Sequence, residues 1–135
     1  MGIHLEWRYS LFTAAVLAAI YGMSSIPDLS TTESDPLVLL AQNLAHAPEF
    51  AVLTFCWLRA LSGALEISGP AYGFAALASG VCAVLDEWHQ SYVPGRHASV
   101  GDVFLDVAGI GAMVVIVRLT RLHAGDARRS QPRMS

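Results

Sequence analysis

The chain has 135 residues, of which 54% are hydrophobic and only 14% are charged. Soluble domains carry about 25% charged residues, so this composition predicts a membrane protein and argues against an ordinary soluble domain. The length leaves room for one compact domain. The net charge is only −3, and the two cysteines form neither a zinc motif nor an evident disulfide framework.

The first two apolar stretches are each long enough to cross a membrane as a helix. The first covers residues 9–27 and ends near Pro27. A cleaved signal peptide is the alternative there, but the apolar core exceeds the about 7–15 residues of such a segment. An acidic loop follows, and the second stretch covers residues 44–65. It holds Pro48 in its first turn, where the missing N–H would have no partner in any case.

The third and fourth apolar stretches flank a polar segment. The third covers residues 70–90, and Pro94-Gly95 forces a turn after it. Ser99-Val100-Gly101-Asp102 is typical of a capping box, in which the serine hydroxyl and the acid bind free N–H groups at a helix start. This fourth helix is predicted to end near Leu119.

The arginines predict the orientation of the chain. All eight basic residues are Arg, and five of them lie at or after the last apolar stretch. With four crossings, Arg8, Arg59 and the C-terminal arginines share one side, and Arg96 lies on the other. Because cytoplasmic loops are enriched in basic residues, both termini are expected in the cytoplasm.

The predicted fold is therefore all-α, a polytopic membrane protein with a four-transmembrane-helix bundle. Residues 1–120 form the membrane domain in this interpretation. Residues 121–135 form a basic cytoplasmic tail, rich in Gly, Ser and Pro as well, which we expect to be disordered.

Four crossings would bring polar residues of separate helices to the same, outer end of the bundle. They are Ser24 and Ser25 in the first helix, His46 and Glu49 in the second, Asp86, Glu87, His89 and Gln90 in the third, and Asp102 and Asp106 in the fourth. Ionisable groups in a membrane are costly unless paired or hydrated, so their clustering indicates a functional site. The alternative is a structural staple that holds the helices in register, although interhelical hydrogen bonds contribute only about 0.6 to 2 kcal/mol each.

Two pairs of an acid and an imidazole are candidates for catalysis. Asp86, His89 and Gln90 share one helical face, because positions i, i+3 and i+4 are neighbours, while Glu87 points about 100° away. His46 and Glu49 are likewise one turn apart on the second helix. An acid beside an imidazole holds its tautomer and raises its basicity, as general acid–base catalysis requires. In this hypothesis the two histidines serve as base or acid, and Asp86 and Glu49 orient them.

The other polar residues are candidates for substrate binding. They are Glu87, Gln90, Arg96, Asp102 and Asp106. Arg96 follows the turn and can fork onto a phosphate or carboxylate, or pair with Asp102 or Glu87. Asp102 is equally explained as the acid of the capping box. Asp106 is equally explained as a protonated or hydrogen-bonded core acid.

A metal site is a less favoured alternative at the same end. The spacings Asp86-x-x-His89 and His46-x-x-Glu49 are similar to the Glu-x-x-His ligands of di-metal helical bundles, and these ligand types suit Zn²⁺, Mn²⁺ or Fe²⁺. Only two histidines are available there, and no His-Glu-x-x-His motif occurs. No cofactor is therefore predicted, and a divalent metal stays an alternative.

Four short segments, which follow one another between about residues 20 and 115, carry a family resemblance. They are Ser24-Ser25-Ile26-Pro27, His46-x-x-Glu49-Phe50, Asp86-Glu87-Trp88-His89-Gln90 with Tyr92-Val93-Pro94-Gly95-Arg96, and Asp102-x-x-x-Asp106-x-x-Gly109. In these segments the chain resembles the VanZ-like family of small bacterial membrane proteins. Two positions depart from the family pattern. Gln42-Asn43 stands where the family often has Asp-Lys, and Asp106 stands where it usually has Asn, which adds an acid that needs a proton or a cation.

The resemblance implies a multi-pass protein of the bacterial cytoplasmic (inner) membrane. The founding member is associated with resistance to the glycopeptide antibiotic teicoplanin, which acts at the outer face of that membrane. We therefore expect an outer polar pocket that binds or modifies an envelope lipid, a lipid-linked cell-wall precursor or an amphiphilic antibiotic.

Other functional classes are less favoured by the sequence. A non-enzymatic binding or assembly module is the main alternative. A transporter ranks below it, because the acids cluster at one membrane face rather than near the midplane. Membrane lipids are the expected partners, whereas nucleic acid is not, since the basic tail is short and adjoins the membrane.

Overall fold

Helices make up all the regular secondary structure of the described residues. The computed structural model describes residues 6–27, 36–61, 67, 69–96 and 98–129, with side chains described from 46 onward in the second helix and up to 123 in the fourth. They form α1 (Trp7–Ser24), α2 (Pro36–Ala60), α3 (Gly69–Gln90) and α4 (Val100–Arg129), without any strand in these ranges. The predicted all-α fold is confirmed.

Two of the helices have the length and apolar composition of membrane helices. Gly69–Gln90 and the Val100–His123 part of α4 are long and apolar enough to cross a membrane. Large apolar side chains also cover the outside of the bundle: Leu77 is 69% exposed and Phe104 is 71% exposed. Soluble proteins rarely expose apolar surface this extensively, whereas lipid tails would cover it. Both observations fit a membrane protein.

Helix α2 lies at the centre and packs against α1, α3 and α4. Its Phe50 and Leu53 side chains are fully buried. Around them lie Ile20 of α1, Ala83 of α3 and Ile110 of α4, which complete one apolar core. The core therefore joins all four helices and holds their ends in a fixed relation.

Two close contacts fix α2 against its neighbours. Thr54 Oγ1 and Ser79 Oγ of α3 are hydrogen-bonded at 3.0 Å, and both side chains are fully buried. On the α4 side, a Cβ atom on Gly109 would lie 2.7 Å from the carbonyl carbon of Ala47 and would overlap its oxygen. Small residues let helix backbones approach closely in membranes, and only glycine fits at this crossing.

Helix α2 begins at Pro36, earlier than the predicted start at residue 44. Proline suits the first position of a helix, and the Leu-rich residues after it are good helix formers, so the predicted loop was too long. Pro48 consequently lies inside the helix rather than in its first turn. Because proline has no N–H to donate, the helix is locally weakened next to the contact between Ala47 and Gly109.

Helix α4 continues to Arg129, past the predicted end near Leu119. Residues 121–129, expected to be disordered, are therefore helical, because Leu, Ala and Arg are good helix formers and the next proline is Pro132. Residues 130–135 lie outside the described residues, as do His97 and residues 28–35, where the sequence predicts an acidic loop.

Helix α3 ends at Gln90, as the sequence predicts. The predicted turn follows, and its Gly95 has a φ of 78°, a conformation that favours glycine. The main-chain N–H of Arg96 donates to the Val93 carbonyl at 3.1 Å and closes the turn. This turn positions the Arg96 side chain over the end of α1.

Candidate functional site

The polar residues meet at one end of the bundle, where α1 and α3 end and α4 begins. Their contacts divide them into two groups. The α1–α3 group consists of Ser24, Ser25, Asp86, His89 and Gln90. The acidic group lies between α2, α3 and α4 and consists of His46, Glu87, Asp102 and Asp106. Glu49 belongs to neither group by its contacts.

Asp86 links α1 to α3 within the first group. It is 8% exposed, and both of its carboxylate oxygens accept hydrogen bonds. Ser24 Oγ donates to Oδ1 at 2.6 Å, and Gln90 Nε2 donates to Oδ2 at 2.8 Å. Asp86 and Gln90 share a helical face, as their spacing predicts. The bonds of the carboxylate go to these two residues instead of to His89, the expected partner.

His89 contacts α1 rather than Asp86. Its Nε2 atom lies 3.0 Å from Ser25 Oγ, and its ring centroid is 4.6 Å from that of Tyr21. Ser25 Oγ also lies 2.6 Å from the Tyr21 carbonyl, which can only accept. Because a hydroxyl has one proton, Ser25 donates to this carbonyl and the His89 Nε2–H donates to Ser25. In this arrangement His89 does not act as a base toward Ser25.

An apolar groove between α1 and α3 ends at the α1–α3 group. Its volume is about 410 Å³, its walls include Leu17, Ile20 and Leu85, and Asp86 and His89 lie along the same surface. Trp88 also lines the groove; it is 62% exposed. An exposed tryptophan at a helix end is typical of the interface between membrane and water.

The His46 side chain pairs with an acid of α4 rather than with Glu49, its expected partner. Its Nδ1 atom is 3.3 Å from Asp106 Oδ1, an ion-pair distance at which the N–H is not aligned for a hydrogen bond. Asp106 is fully buried, and neither of its carboxylate oxygens has a hydrogen-bond partner among the described residues. Glu49 instead lines a separate groove of about 370 Å³ between α1 and α2, together with Met23 and Val52. The expected His46–Glu49 pair is replaced by a pair that joins α2 to α4.

Glu87 caps α4 from the neighbouring helix. Its Oε2 atom accepts the main-chain N–H of Ser99 at 2.7 Å, and Ser99 Oγ accepts the N–H of Gly101 at 3.1 Å. An acid of α3 thus takes the position in the capping box that the sequence assigns to Asp102. Asp102 is buried, at 7% exposure. One donor atom each from His46, Glu87 and Asp102 lies within 4.8 Å of the others, a spacing compatible with a shared metal ion.

Arg96 binds the end of α1. Its Nη2 donates to the Met23 carbonyl at 3.1 Å and its Nε to the Ile26 carbonyl at 3.3 Å. The last carbonyls of a helix have no partner within the helix and carry partial negative charge, so a guanidinium stabilises them. The expected ion pairs with Asp102 or Glu87 are replaced by these main-chain contacts.

The structure also brings in residues that the sequence does not single out. Tyr21 stacks on His89, and Thr54 with Ser79 forms a buried polar contact deeper in the bundle. Tyr21 stands three and four positions before Ser24 and Ser25, so a helical-face count on α1 was the signal that would have found it. Thr54 and Ser79 carry no such signal, because single hydroxyls are common in membrane helices.

The two polar groups fall on the same segments that carry the family resemblance. No curated protein and no solved structure is significantly similar to the chain. The sequence profile of the family described as VanZ/LLP1 matches residues 4–121, a range that contains both groups and most of the chain. The protein therefore belongs to the VanZ/LLP1 family.

Proposed function

We propose that this protein binds an envelope amphiphile at the outer leaflet of the bacterial cytoplasmic membrane. The ligand is an envelope lipid, a lipid-linked cell-wall precursor or an amphiphilic glycopeptide of the teicoplanin type. The groove between α1 and α3 is the observation that carries the proposal, because it joins apolar walls to a polar end. Its volume of about 410 Å³ is ordinary for a small-molecule site.

The groove suits a molecule with a hydrocarbon chain and a polar head. The chain would lie along Leu17, Ile20 and Leu85, which line the groove. The head would lie at His89, beside the interface residue Trp88. Apolar contact along the chain supplies affinity, while the few polar groups at one end set the orientation of the ligand.

His89 is the polar side chain through which the head group is recognised. Both oxygens of Asp86 are already hydrogen-bonded to Ser24 and Gln90. With Nε2–H directed at Ser25, the other ring nitrogen of His89 is an acceptor for a ligand hydroxyl or amide. This geometry supports binding without turnover in the groove, because Asp86 is bonded to Ser24 and Gln90 and does not make His89 a stronger base.

A four-crossing topology completes the proposal. Both termini lie in the cytoplasm, and the polar end of the bundle faces outward. The distribution of arginine supports this orientation, since Arg59, Arg118 and Arg121 lie toward the opposite end of their helices. The α1–α3 groove then opens to the outer half of the bilayer, where envelope precursors and glycopeptides are found.

Photochemical labelling tests the groove directly. The protein is reconstituted in lipid nanodiscs with phosphatidylglycerol that carries a photoactivatable group in its acyl chain. We expect labels on α1 and α3 along the groove. Leu85→Trp fills the groove and should lower labelling about tenfold, the equivalent of 1.4 kcal/mol. Val52→Trp fills the separate α1–α2 groove and is the matched control, expected to change labelling at the α1–α3 groove little.

Competition then identifies the ligand class. Teicoplanin or a polyprenyl diphosphate that displaces the labelled lipid from the groove would be the preferred ligand. Equal labelling of Leu85→Trp and Val52→Trp, or labels spread evenly around the bundle, would contradict the proposal.

A structural role for the α1–α3 group is the second candidate. The closed network of Ser24, Asp86 and Gln90 favours it, because these bonds join two helices without an external ligand. In that case the protein is an assembly module, and Asp86→Ala removes the protein from the membrane. Normal accumulation of Asp86→Ala and His89→Ala with loss of ligand labelling favours the binding function instead.

A further inference from the structure

We propose that His46, Glu87 and Asp102, with Asp106 beside them, form a binding site for a divalent transition-metal cation. The site lies between α2, α3 and α4. It is distinct from the amphiphile groove, because Glu87 faces α4 whereas the adjacent Asp86 faces α1. The proposal is independent of which ligand occupies the groove.

The donor atoms have the spacing that one cation requires. One atom from each of His46, Glu87 and Asp102 lies within 4.8 Å of the others. Metal–ligand distances of about 2.0 to 2.4 Å place any two ligand atoms of one ion no more than about 4.8 Å apart. The three side chains come from three helices, so the site exists only in the assembled bundle.

Buried oxygens without hydrogen-bond partners favour a cation at this position. Asp106 is fully buried and Glu87 is 6% exposed. Neither oxygen of Asp106 has a hydrogen-bond partner among the described residues, and the same holds for Oε1 of Glu87. Buried polar atoms are almost always hydrogen-bonded or bound to an ion, because leaving them without a partner is costly. A cation held by His46, Glu87 and Asp102 would supply that partner for Oε1 of Glu87, and its positive charge would lie beside the Asp106 carboxylate.

The surrounding structure fixes the ligands in place. The Ser99 N–H holds Oε2 of Glu87 and leaves Oε1 for the cation. The contact between Gly109 and Ala47 brings α4 against α2 beside His46. Asp106 Oδ1 lies at ion-pair distance, 3.3 Å, from Nδ1 of His46, so a carboxylate stands beside the imidazole, as is common next to metal-ligating histidines.

The ligand types restrict the cation. An imidazole nitrogen combined with carboxylate oxygens suits Zn²⁺, Mn²⁺ or Fe²⁺ better than Mg²⁺ or Ca²⁺, which prefer oxygen ligands alone. This ligand set differs from the one that the spacings Asp86-x-x-His89 and His46-x-x-Glu49 predict. Of those four residues, only His46 belongs to the proposed cation site.

Metal analysis of the full-length protein tests the site. The protein is purified in detergent with a tag that contains no histidine, stripped with a chelator and titrated with Zn²⁺ or Mn²⁺. We expect about one ion bound per chain and a rise in the melting temperature on adding it. Glu87→Gln keeps an acceptor for the Ser99 N–H but removes the charge, and should weaken binding at least about tenfold. Glu49→Gln, one turn from His46 but outside the site, should bind as the unmodified protein does.

Three outcomes would overturn the proposal. The first is a protein that binds neither Zn²⁺ nor Mn²⁺ at micromolar concentration. The second is Glu87→Gln binding as well as Glu49→Gln, and the third is equal loss of binding in both variants. If Glu87→Gln does not fold, as judged by its helical circular dichroism, the titration of the unmodified protein decides alone.

Discussion

One position along α3 separates two chemical environments. Asp86 faces α1, where Ser24 and Gln90 satisfy both of its oxygens. Glu87 faces α4, where one oxygen caps a helix and the other has no partner among the described residues. Neighbouring residues on a helix point about 100° apart, so two adjacent acids serve different functions. The first acid is a structural link, and the second belongs to the proposed cation site.

Replacing Asp86 by Ala should destabilise the bundle. The Ser24 hydroxyl would stay buried without its acceptor, and the Gln90 amide would keep only its long bond to Ser24 Oγ at 3.5 Å, which together costs about 1–3 kcal/mol. Thermal unfolding of the purified protein in detergent measures the loss. Ser91→Ala is the control, because its hydroxyl is exposed and contacts only the Trp88 carbonyl among the described residues; a change within about 0.5 kcal/mol is expected. Equal melting temperatures of the two variants would show that the Asp86 network contributes nothing to stability.

At the scale of the helices, the distance between α4 and α2 at their crossing determines the geometry of the acidic group. Gly109 lies against the main chain of Ala47, next to His46 and one turn from Asp106. A side chain at position 109 would push α4 away from α2. The His46–Asp106 contact would then lengthen as well. The helix crossing and the geometry of the acidic group are therefore set by the same glycine.

Gly109→Ala should destabilise the protein, whereas Gly111→Ala should not. The new methyl group overlaps main-chain atoms that cannot rotate away, and overpacking of this kind costs about 1–3 kcal/mol or more. At Gly111 nothing lies within 4 Å of the Cβ position, so alanine should stabilise the helix by about 0.5–1 kcal/mol. Thermal unfolding of both variants gives the comparison. A Gly109→Ala protein as stable as Gly111→Ala would contradict the close crossing.

Arg96→Ala should loosen the last turn of α1. The protein loses two hydrogen bonds, from the guanidinium to the Met23 and Ile26 carbonyls. Each such bond contributes about 0.5–1.5 kcal/mol to stability. Hydrogen exchange of the Ser25 and Ile26 amides, which close that turn, should become faster. Arg118→Ala, an exposed arginine on α4, is the control. Unchanged exchange at the end of α1 in Arg96→Ala would contradict the capping role.

The sequence predicted both limits of α3 and missed the start of α2 and the end of α4. Helix α3 is bounded by Gly69-Pro70 and by the turn at Gly95, and its predicted limits agree with the structure. The early start of α2 and the late end of α4 were missed, because helix formers continue there into segments that look polar or flexible. The loop and the tail were predicted from the overall charge and polarity of each segment. The helix propensity of the individual residues was not considered, and it favours a helix in both places.

The candidate residues were found from the sequence, but their partners were not. Spacing along one helix shows which side chains share a face, and it correctly placed Asp86 with Gln90. Which neighbouring helix that face meets depends on the rotation of each helix in the bundle. This rotation is set by contacts such as Gly109 with Ala47, between positions far apart in sequence. His46 therefore meets Asp106 rather than Glu49.

At the scale of the whole molecule, charge is distributed unevenly along the bundle. The acids of both polar groups lie where α3 ends and α4 begins. At the opposite end, the Arg59 guanidinium lies 4.7 Å from the ring of Tyr9, and Arg121 lines a cavity of about 330 Å³ that also includes Arg59. Together with the apolar outer surface, this asymmetry favours one orientation in a membrane, with the arginines on the cytoplasmic side.

Cysteine labelling from one side of the membrane tests this orientation. Cys56 and Cys82 are first replaced by Ala, and single cysteines are then introduced as Ser91→Cys at the acidic end or His123→Cys near the arginine end; both positions are exposed. A membrane-impermeant maleimide should label Ser91→Cys in intact spheroplasts, because the proposed orientation places the polar end outside. It should label His123→Cys only after the membrane is disrupted, because the proposed orientation places this position on the cytoplasmic side, out of reach of the reagent. Labelling of His123→Cys in intact spheroplasts would reverse the orientation and would move the α1–α3 groove to the inner leaflet, away from extracellular glycopeptides.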